Sequence, residues 1–248
     1  MKKYNLDFIS DNDFFNHVKE TIDKYRVDTK INLKEFNKNL IDPIKLTFDL
    51  KVYKKEINDL IESEILRQLD KANTNHIGYF HQNIFRHIGS GWEVPEFGYD
   101  IVNESEKYFI EMKNKHNTMN SSSSQKTYMR MQDTLLTIPG ATCYLVEVIA
   151  KNSQNIAWGV SLDGVPTSHD RIRRISIDQF YELVTGDVNA FKKLCDKLPE
   201  VIDDILIDSE SVDVLSGCVS DELREISPDI LKSLYLISFG RYKGFKVN

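Results

Sequence analysis

Cysteine is scarce in this 248-residue chain. Cys143, Cys195 and Cys218 are odd in number, with no CxxC spacing and no clustered histidines beside them. Neither a disulfide framework nor a cysteine-based zinc site is indicated, and the three are expected as buried thiols in a cytoplasmic protein. No apolar run approaches the ~18 residues of a bilayer span. The start, Met-Lys-Lys-Tyr-Asn-Leu-Asp, lacks a signal-peptide apolar core. No membrane association is expected. Internal repeats are absent, and so is a Gly-x-Ser-x-Gly elbow, which argues against a small-molecule hydrolase built around one. Gly89, Ser90 and Gly91 lack the lysine and the strand-to-helix setting of a phosphate-binding P-loop, so they read as a connection.

What is present is the composition of a globular protein, 41% hydrophobic and 28% charged, long enough for one large or two small domains. The net charge of -6 disfavours a polyanionic partner only if it is spread evenly, and it is not. Glu200 to Glu225 holds nine acidic residues and one basic one, a net -8, which leaves +2 on the rest of the chain. The acidic segment is expected to face away from any nucleic acid. Basic clusters lie at Lys113 to Arg130, at Arg171-Ile172-Arg173-Arg174 and in the tail Arg241 to Lys246.

Phe14, Val18 and Ile22 recur at helical spacing, and Asp42-Pro43 breaks that first pattern. Residues 44 to 72 read as a long helical region whose apolar face carries Leu60, Ile61, Ile65, Leu66 and Leu69, with Glu62 and Glu64 on or near its polar face. His76 to His87 reads as a second helix. Further on, the near-continuous apolar run Gly140 to Ala150 predicts a strand buried on both faces, and Ile156 to Val160 and Ile172 to Ile177 are further strands. Asp178 is expected to cap a following helix. Helices on either side of a hairpin, then a buried strand, predict an α/β fold with a mixed central sheet flanked by helices.

The most informative stretch is Asp100 to Lys113, Asp-Ile-Val-Asn-Glu-Ser-Glu-Lys-Tyr-Phe-Ile-Glu-Met-Lys. Strand side chains alternate, so Glu111 and Lys113 share one face and Met112 takes the other. If Asn103 to Lys107 is a turn, Asp100 folds back beside Glu111. Two carboxylates with an ammonium beside them suit a hard divalent cation and a group that helps water attack phosphorus. A solvated Glu-x-Lys is the bland alternative, but the apolar neighbours Tyr108, Phe109 and Ile110 predict a covered strand, where unpaired charge is costly. Phosphodiester hydrolysis is the chemistry that fits.

From Met112 to Arg130 there are four basic residues and no acidic one, in a run dense in Asn, Ser and Thr, with a helical pattern from Thr127 to Leu136. Such a loop offers donors to phosphate oxygens and base edges; a flexible serine-rich linker is the alternative.

Taken together, these residues resemble the type II restriction endonucleases of the PD-(D/E)xK superfamily, and more narrowly the subfamily that cuts GGNCC-like palindromes. The match is carried by Ile77 to Gln82, Gly98-Tyr99-Asp100, the run Glu111-Met112-Lys113-Asn114-Lys115-His116-Asn117-Thr118-Met119-Asn120-Ser121, and later Phe180 to Gly186, Ala190 to Leu194 and Leu198-Pro199. It spans roughly residues 60 to 200. The Asp...Glu-x-Lys core is common to many nucleases, and the extended run after it is far more specific. One departure is that Tyr99, not proline, precedes Asp100, with Pro95-Glu96 just upstream; Asp100 is favoured as first acid because it lies in the strand-like run Phe97 to Val102.

The resemblance implies a restriction-endonuclease-like core in a single nuclease domain over residues 1–248, with a helical region over 1–60, the catalytic core over 60–200 and an acidic helical extension over 200–248. It implies catalysis by Asp100, Glu111 and Lys113, with Mg2+ held by Asp100, Glu111 and the Met112 carbonyl, and products ending in 5'-phosphate and 3'-hydroxyl. DNA contacts are expected from Lys115, His116, Asn117, Asn120, Ser121, Ser122, Lys126 and Arg130, and accessory roles from Glu64, His81 or Gln82. The partner is double-stranded DNA, and a palindromic site implies a two-fold homodimer. A cognate methyltransferase would protect the host site without needing to bind this chain. A repair or recombination nuclease with the same core, or a non-catalytic DNA-binding module, is the alternative reading.

Overall fold

The computed structural model describes residues 3–27, 31–207 and 219–239. The basic tail, Cys218 and the middle of the acidic segment (Asp208, Glu210 and Asp213) lie outside the described residues. The chain forms two compact units, one of Met1–Thr21 with Ile77–Ser209, the other of Ile22–His76 with Glu210–Asn248.

In chain order, helices α1 (Asp11–Val27), α2 (Leu33–Lys38), α3 (Pro43–Val52) and α4 (Ile57–Asn83) precede a 3-10 turn at Ile84–Arg86. Strands β1 (Trp92–Glu93), β2 (Ile101–Asn103) and β3 (Tyr108–Lys115) follow, then α5 (Ser121–Thr137) and strands β4 (Thr142–Ile149), β5 (Asn155–Leu162) and β6 (Val165–Ser176). Helices α6 (Ile177–Thr185), α7 (Ala190–Leu206), α8 (Val219–Ile226) and α9 (Ile230–Phe239) complete the described chain.

Among the described residues the six strands form one mixed sheet in the order β1-β2-β3-β4-β6-β5. Pairings at the two edges are antiparallel, and β3–β4 and β4–β6 are parallel. A parallel β3–β4 pair needs a crossover, and α5 supplies it. Tyr128 and Met131 of α5 bury against Cys143, Leu145, Trp158 and Ile172 on one face of the sheet. On the other face α6 packs against β4 and β6. Its Phe180 packs at a tilt on Phe85 at 4.8 Å and meets Trp92 edge-on at 5.6 Å. With both faces covered, β4 is buried from Cys143 through Glu147, as its apolar run predicts.

The second unit is helical. Phe36, Ile41, Leu46, Leu60, Ile61, Ile65 and Leu69 share a core with Val219, Leu223, Ile230 and Leu234.

Several boundaries differ from the sequence reading. Asp42-Pro43 starts a helix: the Asp42 carboxylate accepts from the amides of Ile44 and Lys45 at 3.0 and 3.1 Å, and proline takes the first helical position, where no donor is needed. The helical region expected over residues 44 to 72 is split between Val52 and Ile57, and α4 then continues into the helix expected at His76 to His87, ending at Asn83. No proline interrupts it. The strand expected over Phe97 to Val102 shortens to Ile101–Asn103 and is preceded by bends, with Gly98 at a φ of 97° that favours glycine. Helix α5 begins six residues before the expected Thr127, because the Asn120 side chain accepts from the Ser123 amide at 2.8 Å and caps it. Ser176, not Asp178, occupies the cap position of α6; Asp178 lies in its first turn. Of the described cysteines Cys143 is buried, whereas Cys195 is exposed on α7.

Candidate active site

The hairpin β2–β3 sets the geometry of the site. Its turn is built by Asn103, whose Oδ1 accepts from the Ser105 hydroxyl at 2.7 Å and the Glu106 amide at 3.1 Å. Lys107 closes the turn in the left-handed region, at φ 57°. The register pairs Ile101 with Ile110, so Asp100 falls opposite Glu111. The Asp100 amide donates to the Ile110 carbonyl at 2.9 Å, and its carboxylate accepts from the Met112 amide at 2.7 Å. Met112 itself is buried on the opposite face.

Glu111 is held on both oxygens. Lys113 Nζ donates to its Oε1 at 2.6 Å, and the Arg130 guanidinium from α5 pairs with its Oε2. Arg130 also donates to the Gly98 carbonyl at 2.8 Å and lies over the Tyr99 ring at 4.5 Å. Burial and the Glu111 charge push the Asp100 carboxyl above its ordinary value, opposed by the Met112 amide, Lys113 and Arg130. The site therefore balances two carboxylates against two cations, in a half-buried setting. A cleft of about 460 Å³ opens at Asp100, bounded by Tyr79, Gln82, Asn83 and Arg86 on one side and Val94 to Tyr99 on the other.

The other expected site residues are distributed unevenly. Lys115 and Lys126 are exposed. Asn117 is exposed in the turn after β3, with a left-handed φ of 54°. Ser121 and Ser122 are exposed too, but in the first turn of α5, so Ser121 to Ser124 are helix and not a loop. Gln82 lines the cleft that reaches Asp100. His81 Nδ1 is shielded from solvent without a partner, and burial, then the nearby His17, hold the imidazole down at about 4. A ring so placed is neutral at physiological pH. Glu64 belongs to the second unit and is buried there, bound by Arg67 at 2.5 and 2.7 Å and by Gln68 at 3.1 Å. It is neither a surface group nor free for another ligand. The Arg171 to Arg174 cluster is not an open basic patch: Arg171 donates to the Ala141 carbonyl and Arg173 to Asn155, and Arg174 faces Glu147. The acidic segment is likewise divided, with Glu200, Asp203 and Asp204 on α7 and Asp221, Glu222 and Glu225 on α8.

Two features escaped the sequence reading. Glu147, buried on β4 beside Lys113 in the register, accepts from or pairs with His116 Nδ1 at 2.9 and 3.0 Å and lies 3.5 Å from Arg174 Nε. His116 thus turns back to the sheet. The available signal was one acid inside the otherwise apolar run Gly140 to Ala150. The pairing of Arg130 with Glu111 had no local signal, since it depends on where α5 crosses the sheet.

Oxygen donors of this kind suit a hard divalent cation, and an Asp100 carboxyl whose protonation is favoured by burial and by the neighbouring Glu111 charge belongs to a donor set such an ion relieves. Among the described residues no group of three or more His, Cys, Asp or Glu side chains is placed to hold a metal, so the side-chain donors here are two.

Comparison with known proteins places the chain in a family. The model of the Eco47II restriction endonuclease family matches residues 6–207. The chain is 32% identical over 209 residues to the type II restriction enzyme Sau96I of Staphylococcus aureus, covering 80% of each chain. It is 32% identical over 214 residues to the type II restriction enzyme Eco47II of Escherichia coli, covering 81% of this chain and 88% of that one. A match over most of the chain, at this identity and with these lengths, fixes the assignment: the chain belongs to the Eco47II restriction endonuclease family and is a type II restriction deoxyribonuclease.

Proposed function

We propose that this chain is a Mg2+-dependent endonuclease that cuts a short G/C-rich palindromic duplex of the GGNCC type, in the PD-(D/E)xK manner. The observation that carries this reading is the hairpin register, which sets Asp100 opposite Glu111 with Lys113 Nζ 2.6 Å from the Glu111 carboxylate. Asp100, Glu111 and the Met112 carbonyl would hold the ion. When bound, Mg2+ supplies Lewis-acid activation of the attacking water and of the phosphate. Lys113 orients that water and offsets charge building on phosphorus, while the Met112 amide keeps Asp100 turned toward Glu111. The exposed Asn117 and Lys115 and the first turn of α5 leave the catalytic strand directly and contact the DNA. The enzyme acts as a two-fold homodimer in the cytoplasm, and methylation of the host site by a cognate methyltransferase protects against it.

Digestion of a plasmid of known sequence tests this. Purified protein with Mg2+ yields discrete fragments whose ends map to one palindrome, and Lys113→Ala lowers the rate by about 10²-fold or more. Cutting at mismatches or branched structures alone would identify a repair nuclease, and no Mg2+-dependent cutting would leave a DNA-binding module.

A further inference from the structure

Arg130 is a member of the basic run after β3, where a DNA contact is the expectation, yet its guanidinium is turned inward. It pairs with Glu111 Oε2, donates through Nη1 to the Gly98 carbonyl and covers the Tyr99 ring, whose hydroxyl is in turn 2.8 Å from Thr134 Oγ1. The third nitrogen, Nε, is shielded from solvent and has no hydrogen-bond partner. Two facts about this arrangement are unusual together. Both oxygens of the carboxylate read as a cation ligand already accept from a cationic side chain, and the arginine among them has an unsatisfied Nε–H.

We infer that Arg130 is a catalytic residue that exchanges partners: it neutralises Glu111 while the enzyme is free of DNA, and takes the scissile phosphate when substrate and cation are bound. The inference rests on the reading of Asp100 and Glu111 as the cation site. Charge balance drives the exchange. In the free enzyme Asp100 and Glu111 are balanced by Lys113 and Arg130. A divalent cation at these carboxylates leaves the guanidinium facing excess positive charge, and the phosphodiester brings an anion that offsets part of it. The Nε and Nη2 donors form the planar fork that binds two phosphate oxygens at once, so the partnerless Nε gains its acceptor only in the substrate complex. Anchorage at the Gly98 carbonyl and on Tyr99 keeps the guanidinium near the site during the exchange, so little ordering cost remains. Cation and DNA then bind cooperatively, because each releases Arg130 toward a partner that the other favours.

The test measures Ca2+ binding by titration calorimetry without DNA, and separately single-turnover cleavage with Mg2+ of a duplex carrying the mapped site. Arg130→Gln is expected to bind Ca2+ about 3- to 10-fold tighter than the unaltered enzyme, the range set by losing one half-exposed ion pair at the ligand. Its cleavage rate is expected to fall about 10²-fold or more, with loss of the cooperativity between Ca2+ and DNA. Arg130→Lys keeps the charge without the fork and is expected to recover the Ca2+ affinity of the unaltered enzyme but not the cleavage rate. Unchanged or weaker Ca2+ binding by Arg130→Gln, or cleavage near the unaltered rate, overturns the exchange. Glu111→Gln is the control: loss of Ca2+ binding there confines a failure to Arg130, whereas retained binding overturns the cation site and the exchange together.

Discussion

Asn120 separates two physical roles that the sequence merges. Its position after the catalytic strand predicts a base contact, but its Oδ1 accepts from the Ser123 amide at 2.8 Å and begins α5. Replacement by alanine removes the cap, which costs about 1 kcal/mol within a range of roughly 0.5–2. For a chain of this length that corresponds to a fall in Tm of about 2–4 °C. Replacement by aspartate leaves a cap of equal strength, and its charge favours the helix N-terminus. The same charge opposes a DNA phosphate or an acceptor on a base edge. Thermal unfolding followed by circular dichroism, paired with cleavage of cognate and single-mismatch duplexes, resolves the roles. The alanine variant is expected to lose stability and the aspartate variant to keep it, while the aspartate variant loses more DNA affinity. Should aspartate destabilise the fold as much as alanine, the capping bond is not what Asn120 contributes. Should both variants cut the cognate site normally, Asn120 makes no contact with DNA, and readout shifts to the exposed Asn117, where alanine is then expected to cost roughly 1–3 kcal/mol at one base pair.

Acid stability gives a further measurement. Burial and His17 depress His81 from 6.5 to about 4, so the neutral ring stabilises the fold fully above pH 6.5, and that stability is lost as pH falls from 6.5 through 4, up to about 3 kcal/mol. His81→Gln should flatten the urea-unfolding free energy against pH over this window; curves parallel to those of the unaltered protein would show that His81 titrates normally. With Ca2+ replacing Mg2+, specific binding without cutting is expected, its affinity falling steeply with salt. Lys126→Ala should reduce the slope of log K against log[salt] by about 0.9, and an unchanged slope in gel-shift titrations would remove Lys126 from the phosphate contacts.

The part of the site that was legible in the sequence is the part that local geometry determines. A four-residue turn between Asn103 and Tyr108 leaves little freedom in register, so Asp100 could be set against Glu111 from the polar interruption alone. The alternation of β3 likewise assigns Glu111 and Lys113 to one face. Non-local contacts were not legible. The second unit gathers residues from before His76 and after Val219 into one core, and no periodic pattern announces which distant helices share it. Glu64 shows the cost: amphipathic spacing put it at the edge of a polar face, whereas Arg67 and Gln68 allow it to be buried. Ser121 to Ser124 failed for a different reason. Serine favours turns and helix starts alike, and only the Asn120 bond to Ser123 decides between them.

The same distinction explains why charge reads poorly from composition and well from structure. Arg130, Arg171, Arg173 and Arg174 all lie in segments that look like basic surface, yet the first three donate to acceptors inside the first unit and Arg174 faces Glu147 at 3.5 Å. What is left on the surface beside β3 is chiefly Lys115 and Lys126. With a net charge of -6, attraction of DNA to this face depends on those exposed cations. The guanidinium at Glu111 differs from the other three, because its acceptor is the carboxylate proposed to hold the cation. Arg171, Arg173 and Arg174 hold the sheet together and have no reason to move. On the proposed exchange Arg130 leaves Glu111 as the divalent ion binds, and the arriving phosphate supplies the charge that makes leaving favourable.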